Sequence, residues 1–279
     1  MIRIITDSAA DFEPQELAQM NIICIPLSVS FGEEQYQENV DLSKDRFYSL
    51  LADGGYPKTA QASPQVLMDL FEQAHAEGDE AIYFTISSAI SGTYQTAVMT
   101  KNLVGYDSCY VVDSLNATGG QRMLVETAVK LRDAGKSAGE IIAAVEALRS
   151  RVVLYACMDT LEYLYHGGRI SHTVYKLGTI ANIKPIIKVE LDGSIGVPAK
   201  AMGMRKGMDQ LVKKVEQVPC DPAYPFYVMY TSDRTVGQVL AERFRAAGLD
   251  IPEERIIQVG AAIGSHVGPN ACGFIYVSK

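Results

Sequence analysis

The sequence contains no uninterrupted apolar run of the roughly 18 residues that a membrane-spanning helix requires. It also lacks any basic run, since 25 lysines and arginines are outnumbered by 33 aspartates and glutamates and the formal net charge is −8. A nucleic-acid backbone is bound by concentrated positive charge, so we expect no nucleic-acid partner. The amino terminus lacks the basic start and long apolar stretch of a signal peptide, which predicts a cytoplasmic protein.

Motifs for metals and nucleotides are also missing. The five cysteines lie far apart without a Cys-x-x-Cys pair, and the four histidines form no His-Glu-x-x-His motif. We therefore expect reduced core thiols and no metal site. No Gly-x-x-x-x-Gly-Lys or Gly-x-Gly-x-x-Gly loop occurs, so a nucleotide site has little support and we expect no cofactor.

The composition is that of a globular chain longer than one typical domain, with 279 residues, 48% apolar and 21% charged. In the first half, strand-like stretches alternate with helix-like ones. We predict strands at 2–6, 22–31, 81–86 and 110–112, and helices at 11–20, 64–77, 92–103, 119–134 and 138–149. This rhythm predicts a Rossmann-like α/β domain, a parallel sheet with helices on both faces.

The second half has fewer crossovers and predicts an α+β domain. Strands at 184–190 and 195–200 flank Leu191-Asp192-Gly193, which is a hairpin signal. The remaining pattern predicts a helix at 205–217, a strand at 226–231, a helix at 236–247 and strands at 256–259 and 274–277. We place the domain boundary near residue 160, which gives domains of 1–160 and 161–279. No low-complexity linker separates them, so we expect close packing.

Hydroxyl groups concentrate where the predicted parallel strands end, which is where ligands of such sheets bind. The loops lie at 6–8, 113–114 and 87–93, and the last contains Ser87, Ser88, Ser91, Gly92 and Thr93. The helix that begins there offers free N–H groups and a partial positive charge. Together with the hydroxyls it predicts a site for a carboxylate or phosphate. Simple capping of the helix by one hydroxyl is the alternative.

A serine hydrolase is a second interpretation of the same residues. Ser91, His266 and Asp7 are the residue types of a catalytic triad. Ser91 does not lie in a Gly-x-Ser-x-Gly elbow, however, and residue types without geometry are common in chains of this length.

Four further residues attract interest. His266 lies between Gly264 and Gly268, which suggests close backbone approach, although a histidine held in a turn is equally consistent. Arg169 follows two glycines and is a candidate for partner docking or for binding a carbonyl across the domains. Arg205 and Lys206 lie at a predicted helix start, where the helix dipole does not favour cations. They form either a solvated face or a surface for an acidic partner.

Six segments in order along the chain resemble the DegV family of bacterial fatty-acid-binding proteins. They are ITDSA (5–9), KTAQASP (58–64), SSAISGTYQ (87–95), VDS (112–114), HGGRIS (166–171) and HVGP (266–269). The resemblance implies one long-chain fatty acid, such as palmitate, stearate or oleate, in a tunnel between two α/β domains. It further implies that hydroxyls of the loops with Thr59 and Ser91 hold the carboxylate, and that His266 lies close to it.

The resemblance also implies a non-catalytic role as the lipid-carrying subunit of a fatty acid kinase. A separate ATP-binding subunit would phosphorylate the bound acid, and the acyl phosphate would enter phospholipid synthesis. Transient contact with a membrane surface is compatible with this role. A carrier of another amphiphile without a kinase partner is the remaining alternative.

The sequence departs from the family pattern at three positions. Ala60 stands where the family usually has serine, which removes one hydroxyl near the head group. Asn270 replaces a glycine after His-Val-Gly-Pro, and asparagine tolerates the left-handed conformation better than most residues. Gly203 aligns with an arginine that the family often uses to dock the kinase, with Arg205 two residues further on.

Overall fold

A computed structural model of the chain describes residues 1–176 and 182–279. In chain order its strands are β1 (Ile2–Asp7), β2 (Ile22–Ile25), β3 (Ser28–Phe31), β4 (Glu34–Gln37), β5 (Lys58–Ala60), β6 (Glu80–Thr85), β7 (Cys109–Asp113), β8 (Val152–Cys157), β9 (Ile183–Val189), β10 (Ile195–Met202), β11 (Tyr227–Tyr230), β12 (Ile256–Gln258) and β13 (Cys272–Val277). Its α-helices are α1 (Pro14–Gln19), α2 (Lys44–Ala52), α3 (Pro64–Ala76), α4 (Thr93–Val104), α5 (Thr118–Asp133), α6 (Ala138–Arg149), α7 (Glu162–His166), α8 (His172–Lys176), α9 (Gly203–Gln217), α10 (Arg234–Ala246) and α11 (Ala261–Val267).

The amino-terminal part forms a parallel sheet in the order β2-β1-β6-β7. Successive side chains of a strand point to opposite faces, so each face has its own core. Ile4, Ile82 and Phe84 pack with residues of α5 and α6, whereas Ile5 and Tyr83 pack with residues of α3 and α4. The predicted parallel sheet with helices on both faces is therefore confirmed.

A second, mixed sheet has the order β10-β9-β8-β13-β11-β12. Residues of α9 and α10 pack on one of its faces. The predicted hairpin of β9 and β10 is confirmed, with Gly193 in the connection at a φ of +80°. Strand β8 also belongs to this sheet, so the chain already enters the second sheet at Val152. The division into domains at residue 160 stays a prediction.

A small antiparallel sheet, β4-β3-β5, lies beside the parallel one. The prediction of one strand over 22–31 is wrong, because β2 joins the parallel sheet and β3 joins this one. Pro26 lies between them and has no N–H with which to continue a ladder. Val29 of β3 is fully buried against Phe47 of α2 and Ala261 of α11, and this packing fixes the sheet.

All five cysteines are free thiols, three of them buried and two, Cys24 and Cys220, partly exposed. Within residues 1–176 and 182–279, no helix has both the length and the apolar character needed to cross a membrane. Over the same ranges, no group of three or more histidine, cysteine, aspartate or glutamate side chains is arranged to hold a metal ion.

Candidate ligand-binding cavity

A cavity of about 400 Å³ lies between the carboxyl end of the parallel sheet and the face of the second sheet opposite α9 and α10. This volume falls within the range of small-molecule sites, roughly 300–1,000 Å³. Its walls are mainly apolar and are contributed by both parts of the chain, including Ile86, Ile90, Leu154, Ile187, Val189 and Met229. A long apolar ligand would therefore be desolvated by both sheets.

Polar side chains of the cavity wall are linked to one another at one end. Thr59, Ser91, Gly92 and His266, which the sequence predicts as ligand-binding residues, all line the cavity, as does Arg169. Ser88 and Thr93 do not line it. The Ser88 N–H binds Asp113 Oδ1 at 3.1 Å, and Thr93 is fully buried behind Ser91.

Thr93 is the hydrogen-bond partner of Ser91. Thr93 Oγ1 accepts the Ala62 N–H at 3.3 Å and lies 3.0 Å from Ser91 Oγ, which also accepts the Thr93 N–H at 3.3 Å. When Thr93 donates its hydroxyl proton to Ser91 Oγ, both acceptor positions of Ser91 are used. The Ser91 proton is then available to an acceptor in the cavity.

Thr59 and His266 form the second polar pair. Thr59 lies on β5 opposite Val29, and its Oγ1 is 2.9 Å from His266 Nε2. Burial, with a smaller effect of the Arg169 charge, lowers the pKa of His266 to about 4, so its ring is neutral at neutral pH. When Nε2 carries the ring proton, it donates to Thr59, and the Thr59 hydroxyl proton can be donated into the cavity.

The structure corrects the surroundings expected for His266. The residue lies on helix α11 rather than in a turn, and Gly268, whose φ is +76°, caps the carboxyl end of the helix. A Cβ at Gly167 would lie 2.0 Å from His266 Nδ1, so only glycine leaves room for the ring. The backbone at Gly268 is equally close to the ring of Tyr163, where a Cβ would lie at 2.3 Å.

Arg169 joins the two parts of the chain. Its Nε donates to the Ile90 carbonyl at 2.9 Å, and its guanidinium also donates to the Gly167 carbonyl. The sequence analysis offered two roles for Arg169, docking a partner or binding a carbonyl across the domains. The bond to Ile90 is a carbonyl contact of the second kind. Both hydrogen bonds of Arg169 within the described ranges go to carbonyl oxygens and none goes to a carboxylate, and burial lowers its pKa without removing its charge. The polar end of the cavity therefore favours an anionic group.

The triad of the hydrolase interpretation is not assembled. The Asp7 carboxylate accepts the Ile86 N–H at 2.8 Å, the Ala9 N–H at 3.2 Å and the Gln121 amide at 3.0 Å. His266 meets Thr59 rather than Ser91, and its buried Nδ1 has no hydrogen-bond partner among residues 1–176 and 182–279. Within those residues no carboxylate orients the imidazole, as a triad requires.

Gln61 and Thr118 are among the polar lining residues that were not predicted. Gln61 follows β5, and its Nε2 donates to Thr96 at 2.6 Å. Thr118 is the first residue of α5, directly after the loop that follows β7, and has a φ of +49°. The rule that ligands bind beyond the carboxyl ends of parallel strands could have identified Thr118.

Arg205 and Lys206 are exposed in the first turn of α9, two and three residues after Gly203. Gly203 has a φ of +79°, a conformation that an arginine there would adopt only with strain. Neither basic residue lines the cavity. Their role in docking a partner stays a prediction.

The fold and the cavity define an α/β protein with an apolar site closed at one end by hydroxyls and a cation. Residues 1–279 match the family described as "uncharacterised protein, DegV family", and the chain belongs to the DegV family. A DegV domain-containing protein of Caldanaerobacter subterraneus subsp. tengcongensis is 34% identical over 280 residues, covering 100% of this chain and 99% of that protein.

Solved structures agree with this membership. A DegV family protein from Thermus thermophilus, described as fatty-acid-binding, has 27% identity and a TM-score of 0.88, covering 100% of this chain and 99% of that one. A stearic-acid-binding protein from Eubacterium ventriosum has 26% identity and a TM-score of 0.87, covering 99% and 98%. The family resemblance noted in the sequence is confirmed.

Proposed function

We propose that this protein binds one long-chain fatty acid, with the acyl chain in the apolar cavity and the carboxylate at its polar end. The observation that carries the proposal is the pair of hydroxyls, Thr59 and Ser91, each supported by a second side chain at one end of a mainly apolar cavity. The fatty-acid-binding activity of the Thermus thermophilus and Eubacterium ventriosum relatives supports it.

The two parts of such a ligand have different energetic roles. Each buried methylene contributes ~0.8 kcal/mol, so the acyl chain supplies most of the binding free energy. A carboxylate taken out of water must be hydrogen-bonded, and each such bond contributes ~1.5–3 kcal/mol. Thr59 and Ser91 supply donors, and the charge of Arg169 favours the anion. The hydroxyls would thus fix the orientation of the acid.

The protein's further role would be to present the acid to a separate ATP-binding kinase subunit in the cytoplasm, for acyl phosphate formation and phospholipid synthesis. In this scheme it contributes no catalytic residue, and Arg205, Lys206 and Arg169 are the candidate docking residues. Affinity capture with the tagged protein tests this role. An ATP-binding partner that phosphorylates the bound acid is expected, and its loss on Arg205→Glu would assign the surface.

Native mass spectrometry of the purified protein is the direct test of the ligand. We expect an added mass equal to one C14 to C18 fatty acid, released unchanged on denaturing extraction. A protein that carries no lipid and takes up no added palmitate would contradict the proposal. Extraction of a different amphiphile would support the cavity as the binding site but assign it another class of ligand.

A further inference from the structure

Helix α11, which carries His266, begins against two buried carboxyl groups. Asp11 Oδ1 accepts the Gly260 N–H at 2.8 Å, and Glu38 Oε1 accepts the Ala262 N–H at 3.2 Å. Asp11 is 1% exposed and Glu38 is 2% exposed. A Cβ at Gly260 would lie 2.2 Å from Glu38 Oε1 and 2.9 Å from Asp11 Oδ1, so both carboxylates contact the same glycine.

These contacts join α11 to the elements that hold the rest of the polar end. Glu38 directly follows β4, in the sheet whose β5 carries Thr59. Ala262 is four residues before His266, one turn earlier on the same helix face. Glu38 therefore connects the sheet of Thr59 to the helix of His266. Asp11 also accepts a hydrogen bond from Thr118, which lines the cavity.

No cation pairs directly with either carboxylate in the described ranges. Lys44 Nζ donates instead to the Asp11 carbonyl at 3.2 Å and to Glu13 Oε1 at 2.6 Å. Burial, then the charge of Asp11, raises the pKa of Glu38 to about 7, and burial raises that of Asp11. The ionisable groups that face the pair are Asp7, Cys24, Lys44, Tyr48 and Arg122.

A carboxyl pair in this setting costs folding free energy, because two acidic groups are removed from water. Apolar side chains would fill the same space without that cost. What the pair provides is a fixed start for α11, since its oxygens bind the N–H groups of Gly260 and Ala262 that precede the first intrahelical bonds.

We propose that Asp11 and Glu38 are positioning residues for the head-group site, which fix α11 so that His266 Nε2 meets Thr59 Oγ1 and directs the Thr59 hydroxyl into the cavity. The ligand in this inference is that of the proposed function. The placement of His266 does not depend on the ligand and can be measured without one.

The test compares Glu38→Ala with Glu38→Gln, whose amide oxygen can still accept the Ala262 N–H. Glu126→Gln is the matched control, because Glu126 is a buried carboxylate bound to Tyr227 and Arg122 and does not line the cavity. Histidine ¹⁵N NMR of the ligand-free proteins follows the titration of His266. Displacement of a fluorescent fatty acid by palmitate gives the affinity.

For Glu38→Ala we expect the pKa of His266 to rise towards its ordinary value of 6.5 and palmitate affinity to fall about tenfold, the effect of losing one hydrogen bond to a charged group. Glu38→Gln should keep the pKa of His266 near its wild-type value and the palmitate affinity within about twofold. Glu126→Gln should lower thermal stability while leaving the His266 pKa and the palmitate affinity unchanged. If Glu38→Ala fails to fold, Glu38→Asp, which withdraws the carboxylate by one methylene, replaces it.

An unchanged His266 titration and unchanged affinity in Glu38→Ala, with lower stability alone, would overturn the proposal and leave Glu38 a purely structural residue. If the wild-type protein binds no fatty acid, the proposed function fails. The His266 titration still decides the positioning role in that case, so the two failures are distinguishable.

Discussion

At the scale of single residues, different side chains at the polar end of the cavity supply the positive charge and orient the hydrogen-bond donors. Arg169 keeps its positive charge, and its hydrogen bonds within the described chain go to carbonyl groups, so it can balance an anion without a competing carboxylate. His266 is neutral because burial disfavours its charged form. In the proposed binding mode a neutral ring would act on the carboxylate by hydrogen bonding, with Thr59 as its partner, rather than by its own charge.

Replacing Ser91 should weaken fatty-acid binding, whereas replacing Ser87 should not. Ser91 lines the cavity, but the Ser87 hydroxyl donates to the Gly193 carbonyl at 2.9 Å and does not line it. We expect Ser91→Ala to raise the palmitate Kd about 10- to 100-fold, the effect of losing a hydrogen bond to a carboxylate. Ser87→Ala is the matched control in equilibrium binding, and equal affinities of the two variants would show that Ser91 does not hold the head group.

His266 should make the folded protein sensitive to mild acid. Its pKa is about 4 when folded and about 6.5 when unfolded, so the unfolded state takes up a proton first as the pH falls from 6.5 towards 4. Its contribution to stability is complete above pH 6.5 and is lost across that window, at about 2 kcal/mol between pH 7 and pH 5.

Urea unfolding at pH 7 and pH 5, compared with His266→Gln, measures this contribution. The variant should lose about 2 kcal/mol less than the wild-type protein over the same interval. Equal losses in the two proteins would mean that His266 titrates normally and that its ring is not buried in solution.

The sequence indicated some of the residues that line the cavity, among them Thr59, Ser91 and His266, but not their hydrogen-bond partners. Ser91 and Gly92 stand at a strand-to-helix loop, where the position in the sheet alone indicates a site. The Thr59–His266 bond joins residues 207 positions apart, and no periodicity specifies such a contact. Thr93 was predicted to bind the ligand because it lies in the same loop. The sequence does not show that Thr93 packs behind Ser91, which only the tertiary structure reveals.

At the scale of elements, the long strands and helices of the parallel sheet were predictable because their apolar patterns are strong. The elements that carry Thr59 and His266 are short: β5 has three residues and α11 has seven. Short segments have weak periodicity and depend on tertiary packing, here of Val29 and Ala261 in one buried cluster. The sequence therefore predicted the sheet better than the two elements that complete the site.

The end of α7 should control the place of α11. Gly167 has an ordinary φ, so Gly167→Ala adds no backbone strain, but its methyl group would lie 2.0 Å from His266 Nδ1. We expect the variant to fold and to bind palmitate about tenfold more weakly, because the ring must move away from Thr59. Gly139→Ala is the control, since a Cβ there meets no atom within 4 Å, and it should raise stability by about 0.5 kcal/mol.

Equilibrium binding and thermal unfolding of both variants check this prediction. Wild-type affinity in Gly167→Ala would mean that the His266 ring has room to shift without loss of the Thr59 contact, and that α7 does not constrain the site.

At the scale of the whole molecule, the cavity lies where the two large sheets meet. Arg169 binds the Ile90 carbonyl and Ser87 binds the Gly193 carbonyl, so two polar contacts join the parts on either side of it. An acyl chain would add apolar contacts to both sheets at once. Ligand binding should therefore stabilise the whole fold, by about 2.7 kcal/mol at a free ligand concentration of 100 Kd.

A cavity of about 400 Å³ between the sheets sets a limit on chain length. Affinity should rise about fourfold for each added methylene until the cavity is filled, since each contributes ~0.8 kcal/mol, and should then level off or fall. Ala156 of β8 lines the cavity, so Ala156→Leu should move the optimum to an acid shorter by two or three carbons, at about the same affinity for that shorter acid. Ala246→Leu, at an exposed position in the last turn of α10, should leave the optimum unchanged. Competition binding with saturated acids from C10 to C20 measures both optima, and an identical profile for Ala156→Leu and the wild-type protein would place the acyl chain outside this cavity.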